Sequence, residues 1–329
     1  MMAGVVSSIL LLTACGAGSA PQKADASSGA GADCVPSTFS IGRGTGLGYA
    51  PMIVAEGAHI FEKKFPDTKF KWQVLSGGSA SRDAMLSGSI DMGAGGITPF
   101  LVGWDKGIDA KVLSSAGDLD YWLVAMNKEV KTIADITPSM RIAVTSPDSG
   151  QAIALNTDAQ AKLGHDVKSQ MVPMPHPDAL AALISGQVDL HYSSPPFQYQ
   201  ELAEGAHVVA KGTEAWGGPF AFALISVNKK TADCAVFAKG LYDGIVQAMN
   251  ILKTQPEEAA KFLSDSDNGK TSVEQYEGYL KQPGIDWTPV PHKVIVTAKA
   301  SKAAGTISKV PSSMSEIVAT AVPSDARGD

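Results

Sequence analysis

Short alternating or apolar runs repeatedly give way to glycine- and serine-rich turns, and then to segments with apolar residues at helical spacing. Phe39–Arg43 is the first run. It passes into Gly44-Thr45-Gly46-Leu47-Gly48-Tyr49, after which Pro51 opens a helix with an apolar face of Ile53, Val54, Ala58 and Phe61, closed by Pro66. Phe70, Trp72 and Val74 alternate with polar residues as in a half-buried strand, and the run stops at Ser76-Gly77-Gly78-Ser79. Ser79 or Ser81 can cap a short helix through Leu86, with Gly88 at its stop. Ile90–Met92 reads as the next strand, followed by a second glycine turn, Gly93–Gly96, with Thr98 as cap and Pro99 at a first helical position.

Two successive strands thus run through glycine-serine turns into helix starts. If the strands are parallel neighbours, both turns lie at their carboxyl ends, where open α/β sheets bind ligands and helix N-termini suit an anion or polar head group. The segment Ala84-Met85-Leu86-Ser87-Gly88-Ser89-Ile90-Asp91 nearly recurs as Ala182-Leu183-Ile184-Ser185-Gly186-Gln187-Val188-Asp189. Each copy is a helix end, a glycine stop and a strand with an Asp, followed by a small-residue loop, Gly93–Thr98 or Ser193–Pro196. The repeat predicts two similar lobes. The apolar runs 121–127 and 220–228 suit the crossings between them, with the second lobe at 128–219 and the first divided into 38–127 and 220–329. Inside the second lobe, strand 141–145 ends at Ser146-Pro147-Asp148-Ser149-Gly150; Ser149 or Asp148 caps a helix over 151–163, stopped by Gly164. A strand through Met171 leads to Pro175-His176-Pro177 and a helix over 179–185, and 188–192 meets Ser193-Ser194-Pro195-Pro196. Amphipathic helices are predicted over 235–253, with Val236, Leu241, Ile245 and Met249 on one face, and over 256–263. The tail is expected to pack on the first lobe.

The block SGGSASRDAMLSGSIDMGAGGITPF, the strand MRIAV at Met140–Val144 and PHPDALAALISGQVDLHYSSPPF at Pro175–Phe197 together resemble extracytoplasmic solute-binding proteins of ABC importers, of the nitrate/taurine/alkanesulfonate group. The resemblance implies the type II periplasmic-binding fold: α/β, two lobes, each a mixed, mainly parallel sheet flanked by helices, with the ligand cleft between them. It implies a receptor, not an enzyme, that captures a small oxyanion-bearing solute (alkanesulfonate, taurine, nitrate or aromatic carboxylate). The monomeric receptor would deliver it to a membrane permease with a cytoplasmic ATPase. The ligand-facing candidates are Thr45, Tyr49, Gly78, Ser79, Ala80, Gly96, Thr98, Trp122, Ser146, Ser149, Gly150, His176, Ser194, Pro196 and Trp216. Arg43, after the first strand, is a candidate bidentate anion clamp. Two alternatives stay open: an enzyme on the same fold, like those of menaquinone or thiamine-pyrimidine biosynthesis, and a ligand-sensing partner of a membrane receptor.

The chain has 329 residues, enough for two lobes, and its net charge of −6 comes without the Lys/Arg stripe that a nucleic-acid partner needs. The apolar run Val5–Ala14 is too short for a final membrane anchor and ends Leu12-Thr13-Ala14-Cys15-Gly16, the pattern of a bacterial lipobox. Residues 1–14 then read as a signal peptide, although 1–8 carry no Lys or Arg, and Cys15 as the lipidated mature N-terminus. Residues 15–37 read as a tether rich in Gly, Ala and Ser. This places the protein outside the cytoplasm, where Cys34 and Cys234 become a candidate disulfide. The six His are scattered, no H-E-x-x-H or Cys/His cluster occurs, and G-x-S-x-G is absent, so neither metal, cofactor nor catalytic residue is expected. The glycines after the first strand miss the dinucleotide spacing, because Leu47 or Tyr49 stands where the third glycine belongs.

Overall fold

The structure, a computed structural model, describes residues 33–329. The expected signal peptide, the lipidated Cys15 and the tether as far as residue 32 lie outside the described residues. The last tether positions are pinned to the fold: Cys34 is disulfide-bonded to Cys234, Pro36 O accepts from Thr68 Oγ1 at 2.7 Å, and Ser37 O accepts from Lys69 N at 2.9 Å.

The strands, in chain order, are β1 (Thr38–Arg43), β2 (Lys69–Val74), β3 (Met92–Gly95), β4 (Ala110–Ser115), β5 (Trp122–Ala125), β6 (Ile142–Val144), β7 (Met171–Pro173), β8 (Leu190–Ser193), β9 (His207–Lys211) and β10 (Leu224–Asn228). They form two five-stranded sheets, ordered β2-β1-β3-β10-β4 and β7-β6-β8-β5-β9. In the first, β1 is parallel to β2 and β3, and β10 lies antiparallel between β3 and β4. In the second, β6 is parallel to β7 and β8, and β5 lies antiparallel between β8 and β9. The two sheets therefore have one topology, and in each the single reversed strand has just arrived from the other lobe. That corrects the expected boundary. β5, read as the end of the first lobe, belongs to the second sheet, so the outward crossing is at 116–121; the return is at 220–223.

The helices are α1 (Ala50–Gly57), α2 (Ile60–Lys64), α3 (Gly78–Leu86), α4 (Ile97–Asp105), α5 (Gly150–Leu163), α6 (His176–Ile184), α7 (Phe197–Ala203), α8 (Gly212–Trp216), α9 (Lys229–Asp233), α10 (Ala235–Thr254), α11 (Pro256–Ser266), α12 (Val273–Leu280) and α13 (Val294–Ala303). The near-repeat occupies equivalent places, α3 into β3 and α6 into β8. Gly88 (φ 72°) and Gly186 (φ 74°) turn the chain through the left-handed conformation that a side chain disfavours. The repeated Asp sits one residue before its strand in both copies, where Asp91 accepts from Ser40 N at 2.9 Å and Asp189 from Arg141 N at 2.8 Å. Each carboxylate ties its strand to the start of the parallel neighbour.

The glycines of 93–95 are strand, not turn. A Cβ on Gly95 would stand 2.9 Å from Gly78 Cα and one on Gly93 2.4 Å from Ser81 Oγ, so these glycines let α3 lie directly on β3. The first lobe's core is built on Phe39, Ile41, Met92, Leu113 and Ile225 of the sheet with Phe237, Leu241, Ile245 and Met249 of α10. Val236, expected on that face, is exposed, and Phe237 takes its place. The tail does more than pack on the first lobe. α13 lies against both α4 and α5, Ala300 and Ala304 pack on the second lobe's core, and Lys168 Nζ donates to Ala304 O at 3.1 Å.

The disulfide closes a loop with a sequence separation of 200, containing the whole second lobe. Chain-entropy reasoning assigns such a long loop up to about 5 kcal/mol. Cys34→Ser or Cys234→Ser is expected to lower the denaturant midpoint accordingly, measured by urea unfolding with and without reductant; equal midpoints would contradict it.

Candidate functional site

The carboxyl ends of the parallel strands in both sheets face each other across a cleft. Into it open the loops after β1 (Gly44, Thr45), β2, β3, β6, β7 and β8 (Ser194), lining a cavity of about 330 Å³. The starts of α3 (Gly78–Ala80), α4 (Gly96, Ile97, Pro99), α5 (Ser149–Gln151) and α6 (Pro175–Pro177) all reach it. The first-turn N–H groups of a helix have no intrahelical acceptor. At α3, α4 and α6 no side chain caps them, the N-cap positions being Gly77, Gly96 and Pro175; at α5 Ser149 Oγ accepts from Ala152 N at 3.1 Å. Among the described residues no Lys, Arg, Asp or Glu lines the cavity. Its polar potential therefore comes from helix dipoles, hydroxyls, Gln151 and His176.

Aromatic rings make the other wall. Tyr49 meets Phe222 edge-on at 6.3 Å, and Tyr121 packs on Phe220 at 4.7 Å and accepts at its hydroxyl oxygen from Trp216 Nε1–H. Burial pushes the Tyr49 phenol up to about 12 and that of Tyr121 well above its ordinary value, so both stay neutral at any ordinary pH. Gly44 is needed beneath Tyr49, whose ring would lie 2.5 Å from a Cβ there.

Behind the head-group side runs a chain of buried polar groups. His176, half-buried at the cleft, contacts Gln151 (Nε2 to Nε2, 3.4 Å), and its Nδ1 lies 2.8 Å from His191 Nε2. His191 Nδ1 in turn lies 2.5 Å from Glu201 Oε1, with both side chains 0% exposed. Glu201 Oε2 has no hydrogen-bond partner. Burial pushes the Glu201 carboxyl up to about 8 and holds His191 down to about 3; burial and then the neighbouring His191 hold His176 well below the ordinary imidazole range. Phe197, from the start of α7, stacks on the His176 ring at 5.6 Å.

The lobes also touch directly. Ser79 Oγ donates to Asp148 Oδ1 at 2.8 Å and lies 3.1 Å from Ser146 Oγ, Arg82 Nη1 pairs with Asp148 Oδ2, and Leu47 N donates to Pro195 O at 3.2 Å. Ser79, expected as a helix cap, is inside α3 and spends its hydroxyl on the opposite lobe. These contacts latch the cleft in a closed arrangement.

Thr45, Tyr49, Gly78, Ser79, Ala80, Gly96, Ser146, Ser149, Gly150, His176, Ser194 and Trp216 are all brought to the cavity wall. The others are not. Arg43 is buried and committed to Glu56 Oε2 at 2.5 Å and to Gly44 O at 3.3 Å, so it braces the first loop and is not positioned to clamp an anion. Thr98 is the second residue of α4, fully buried; Ile97 and Pro99 face the cavity instead, and Gly96 is the N-cap. Trp122 lies on the opposite face from its neighbour Tyr121, donating to Asp120 Oδ2 at 3.1 Å and packing edge-on to Tyr199. Ser194, just before the cis Pro195-Pro196 pair, lines the cavity, whereas Pro196 itself abuts Gly46 of the other lobe. The sequence reading passed over Tyr121, Thr145, Gln151, Phe222 and Thr297. Gln151, two residues past the Ser149 cap, was readable from helix geometry. Thr297 comes from α13, and nothing local marks it.

The latch generates a prediction. Burial works to raise Asp148, but hydrogen bonds from Ser146, Ser79 and Arg82 outweigh it and hold the carboxyl below its usual value. Its contribution to closure is thus complete above the ordinary carboxylate range and lost as pH falls through the depressed value. Asp148→Asn or Arg82→Ala is expected to open the lobes and weaken solute affinity about tenfold, ~1.4 kcal/mol. Small-angle scattering with and without solute checks it; unchanged closure in both variants would refute the latch.

Residues 35–264 match the model of the NMT1-like family. An aliphatic sulfonates-binding protein of Escherichia coli (strain K12) is 26% identical over 218 residues, which is 65% of this chain and 67% of that protein. The crystal structure of the periplasmic aliphatic sulphonate binding protein SsuA from Escherichia coli superposes with a TM-score of 0.68 at 21% identity, covering 87% of this chain and 98% of that one. The alkanesulfonate-binding protein SsuA from Xanthomonas axonopodis pv. citri, bound to MOPS, gives 0.70 at 24% identity, covering 88% and 98%. At these identities the structural likeness is one of fold: the two-lobed binding-protein architecture.

Proposed function

The chain belongs to the NMT1-like family, and we propose that it is the extracytoplasmic solute receptor of an ABC importer, closing over a small organic oxyanion and handing it to a membrane permease served by a cytoplasmic ATPase. The observation that carries this reading is the convergence of four helix starts, three of them uncapped, on one interlobe cavity. Such ends favour negative charge. Within the expected ligand classes the lining favours some over others. Among the described residues no carboxylate lines the cavity to meet an ammonium group, which disfavours taurine, and nitrate would leave most of about 330 Å³ and the aromatic wall unused. An alkane- or arylsulfonate, or an aromatic carboxylate, fits both halves. The names of the sulfonate-binding relatives support the same class. We further propose that the receptor acts as a monomer held to the membrane through a lipid on Cys15, which Cys15→Ala would release from the membrane fraction.

An enzyme on this fold is the second reading, favoured by the histidine chain that ends at the cleft. It requires turnover. Titration with 1-hexanesulfonate, benzenesulfonate, benzoate, taurine and nitrate separates the readings. The first three are expected to bind and be recovered unchanged. At about a hundred times the Kd, each adds about 2.7 kcal/mol of stability, seen as a rise of several degrees in Tm. Tyr49→Ala is expected to weaken 1-hexanesulfonate about tenfold and methanesulfonate little, since only the longer body reaches the aromatic wall. Absence of binding by every anion, or chemical conversion of one, would overturn the receptor reading.

A further inference from the structure

We propose that His176 is the donor that seats the anionic head group, and that His191 and Glu201 behind it set which proton arrangement it presents. Binding of an anion above neutral pH is thereby coupled to uptake of one proton. The inference rests on the receptor reading and adds the two buried residues and the proton to it.

Each contact in the chain Glu201 Oε1–His191 Nδ1 (2.5 Å) and His191 Nε2–His176 Nδ1 (2.8 Å) holds one hydrogen, so with both imidazoles neutral the ordered arrangements are two. In the first, the neutral Glu201 carboxyl donates to His191 Nδ1, His191 Nε2–H donates to His176 Nδ1, and His176 Nε2–H is a donor at the cleft, with the Gln151 amide beside it. In the second, Glu201 is a carboxylate and accepts from His191 Nδ1–H. His191 Nε2 then accepts from His176 Nδ1–H, and His176 turns a lone pair, not a donor, to the cleft and the Gln151 amide. The first holds one proton more than the second and carries no net charge, whereas the second carries one negative charge. An anion in the cleft meets a donor in the first and a lone pair backed by a buried anion in the second.

The surroundings choose between them. Glu201 is 0% exposed and Oε2 meets no hydrogen-bond geometry, so ionising it leaves a buried charge whose cost the nearby Ser193 hydroxyl offsets only in part. At neutral pH the donor form therefore prevails, and it gives way as Glu201 ionises near pH 8. His191, held down to about 3, does not take up a proton of its own in this range.

The elements packed around the chain leave it isolated among the described residues. α6 brings His176, with Asp178 exposed to solvent; α7 brings Glu201 and the neutral Gln198; α5 brings Gln151, whose amide can face His176 Nε2 with either end. Val124 of β5 and Ala143 of β6 flank His191. The buried acid of α5, Asp158, acts on Tyr121 and Tyr192 instead. Tyr49, raised to about 12, stays neutral throughout the window.

The test uses 1-hexanesulfonate, which is ionised at every working pH, in cationic buffers such as imidazole and Tris so that no buffer anion competes. If only the donor form binds, affinity is level from pH 6 to 7 and about tenfold weaker at pH 9 than at pH 7. A pH-stat is expected to record close to one proton taken up per ligand at pH 9 and close to none at pH 6. Glu201→Gln supplies a permanent amide donor to His191 Nδ1, so it is expected to keep the pH 7 affinity and lose the alkaline decline; His191→Phe is expected to bind weakly at both. A flat wild-type affinity from pH 7 to 9, or no proton uptake at pH 9, overturns the relay while leaving the receptor reading intact. No binding of hexanesulfonate, benzenesulfonate or benzoate at any pH overturns both.

Discussion

The hydrogen bonds that β5 and β10 make in the lobe each has just entered are the constraint from which the remaining architecture follows. Each reversed strand is held on both sides by strands of the receiving sheet. Neither sheet is complete without chain that has crossed over. The parallel strands of the two sheets are thereby set with their carboxyl ends toward a common gap, and the loops that follow them have nowhere to point except into it. Closure then needs 116–121 and 220–223 to flex while the sheets move as bodies, and the contacts of α13 with both lobes to adjust with them. α13 adds a third tie, lying on α4 of one lobe and α5 of the other, and supplies Thr297 to the gap itself.

The cleft built on this frame separates two tasks. Closure is given to charges, Arg82 and Asp148, which meet at the rim and can exchange protein partners for water as the lobes part. Recognition is given to groups without formal charge, which carry little desolvation cost when a solute displaces water. The single adjustable member of that second set is His176, and the group that adjusts it is hidden from solvent behind another imidazole.

How much of this was legible in the sequence depended on the range of the signal. Turns and helix stops are local, so the Ser149 cap, the glycine stops at 88, 164 and 186 and the repeated Asp could be placed from spacing alone. Most of the cleft followed, because in this topology a loop after a parallel strand is a cleft loop. The errors came where facing depended on a partner distant in sequence. Trp122 and Tyr121 differ by one residue and point to opposite faces, and only the pairing of β5 with β8 and β9 decides which faces the cleft. Arg43 had every local mark of an anion clamp, and Glu56, from the next helix, had already claimed it. The glycines at 93 and 95 read as turn because nothing nearby says that a helix rests on them. The chain Glu201–His191–His176 joins α7, β8 and α6, and single histidines in a sequence carry no sign of such a connection.

The contact between Gly95 and Gly78 has a consequence for how substitutions in this protein would be interpreted. Between β3 and α3 there is no room for even a single β-carbon, and α3 carries cleft-lining backbone at its start and Arg82 one turn later. A methyl group added at 95 would press on the helix, displacing head-group donors and rim charge together, while the apolar core behind the sheet kept its packing. Such a change would carry the phenotype of a binding-site lesion without touching solute. Tolerance to substitution at 93 and 95 would therefore trace the outline of the cleft rather than that of the core, and sequences that drift at these positions would be expected to drift in what they bind.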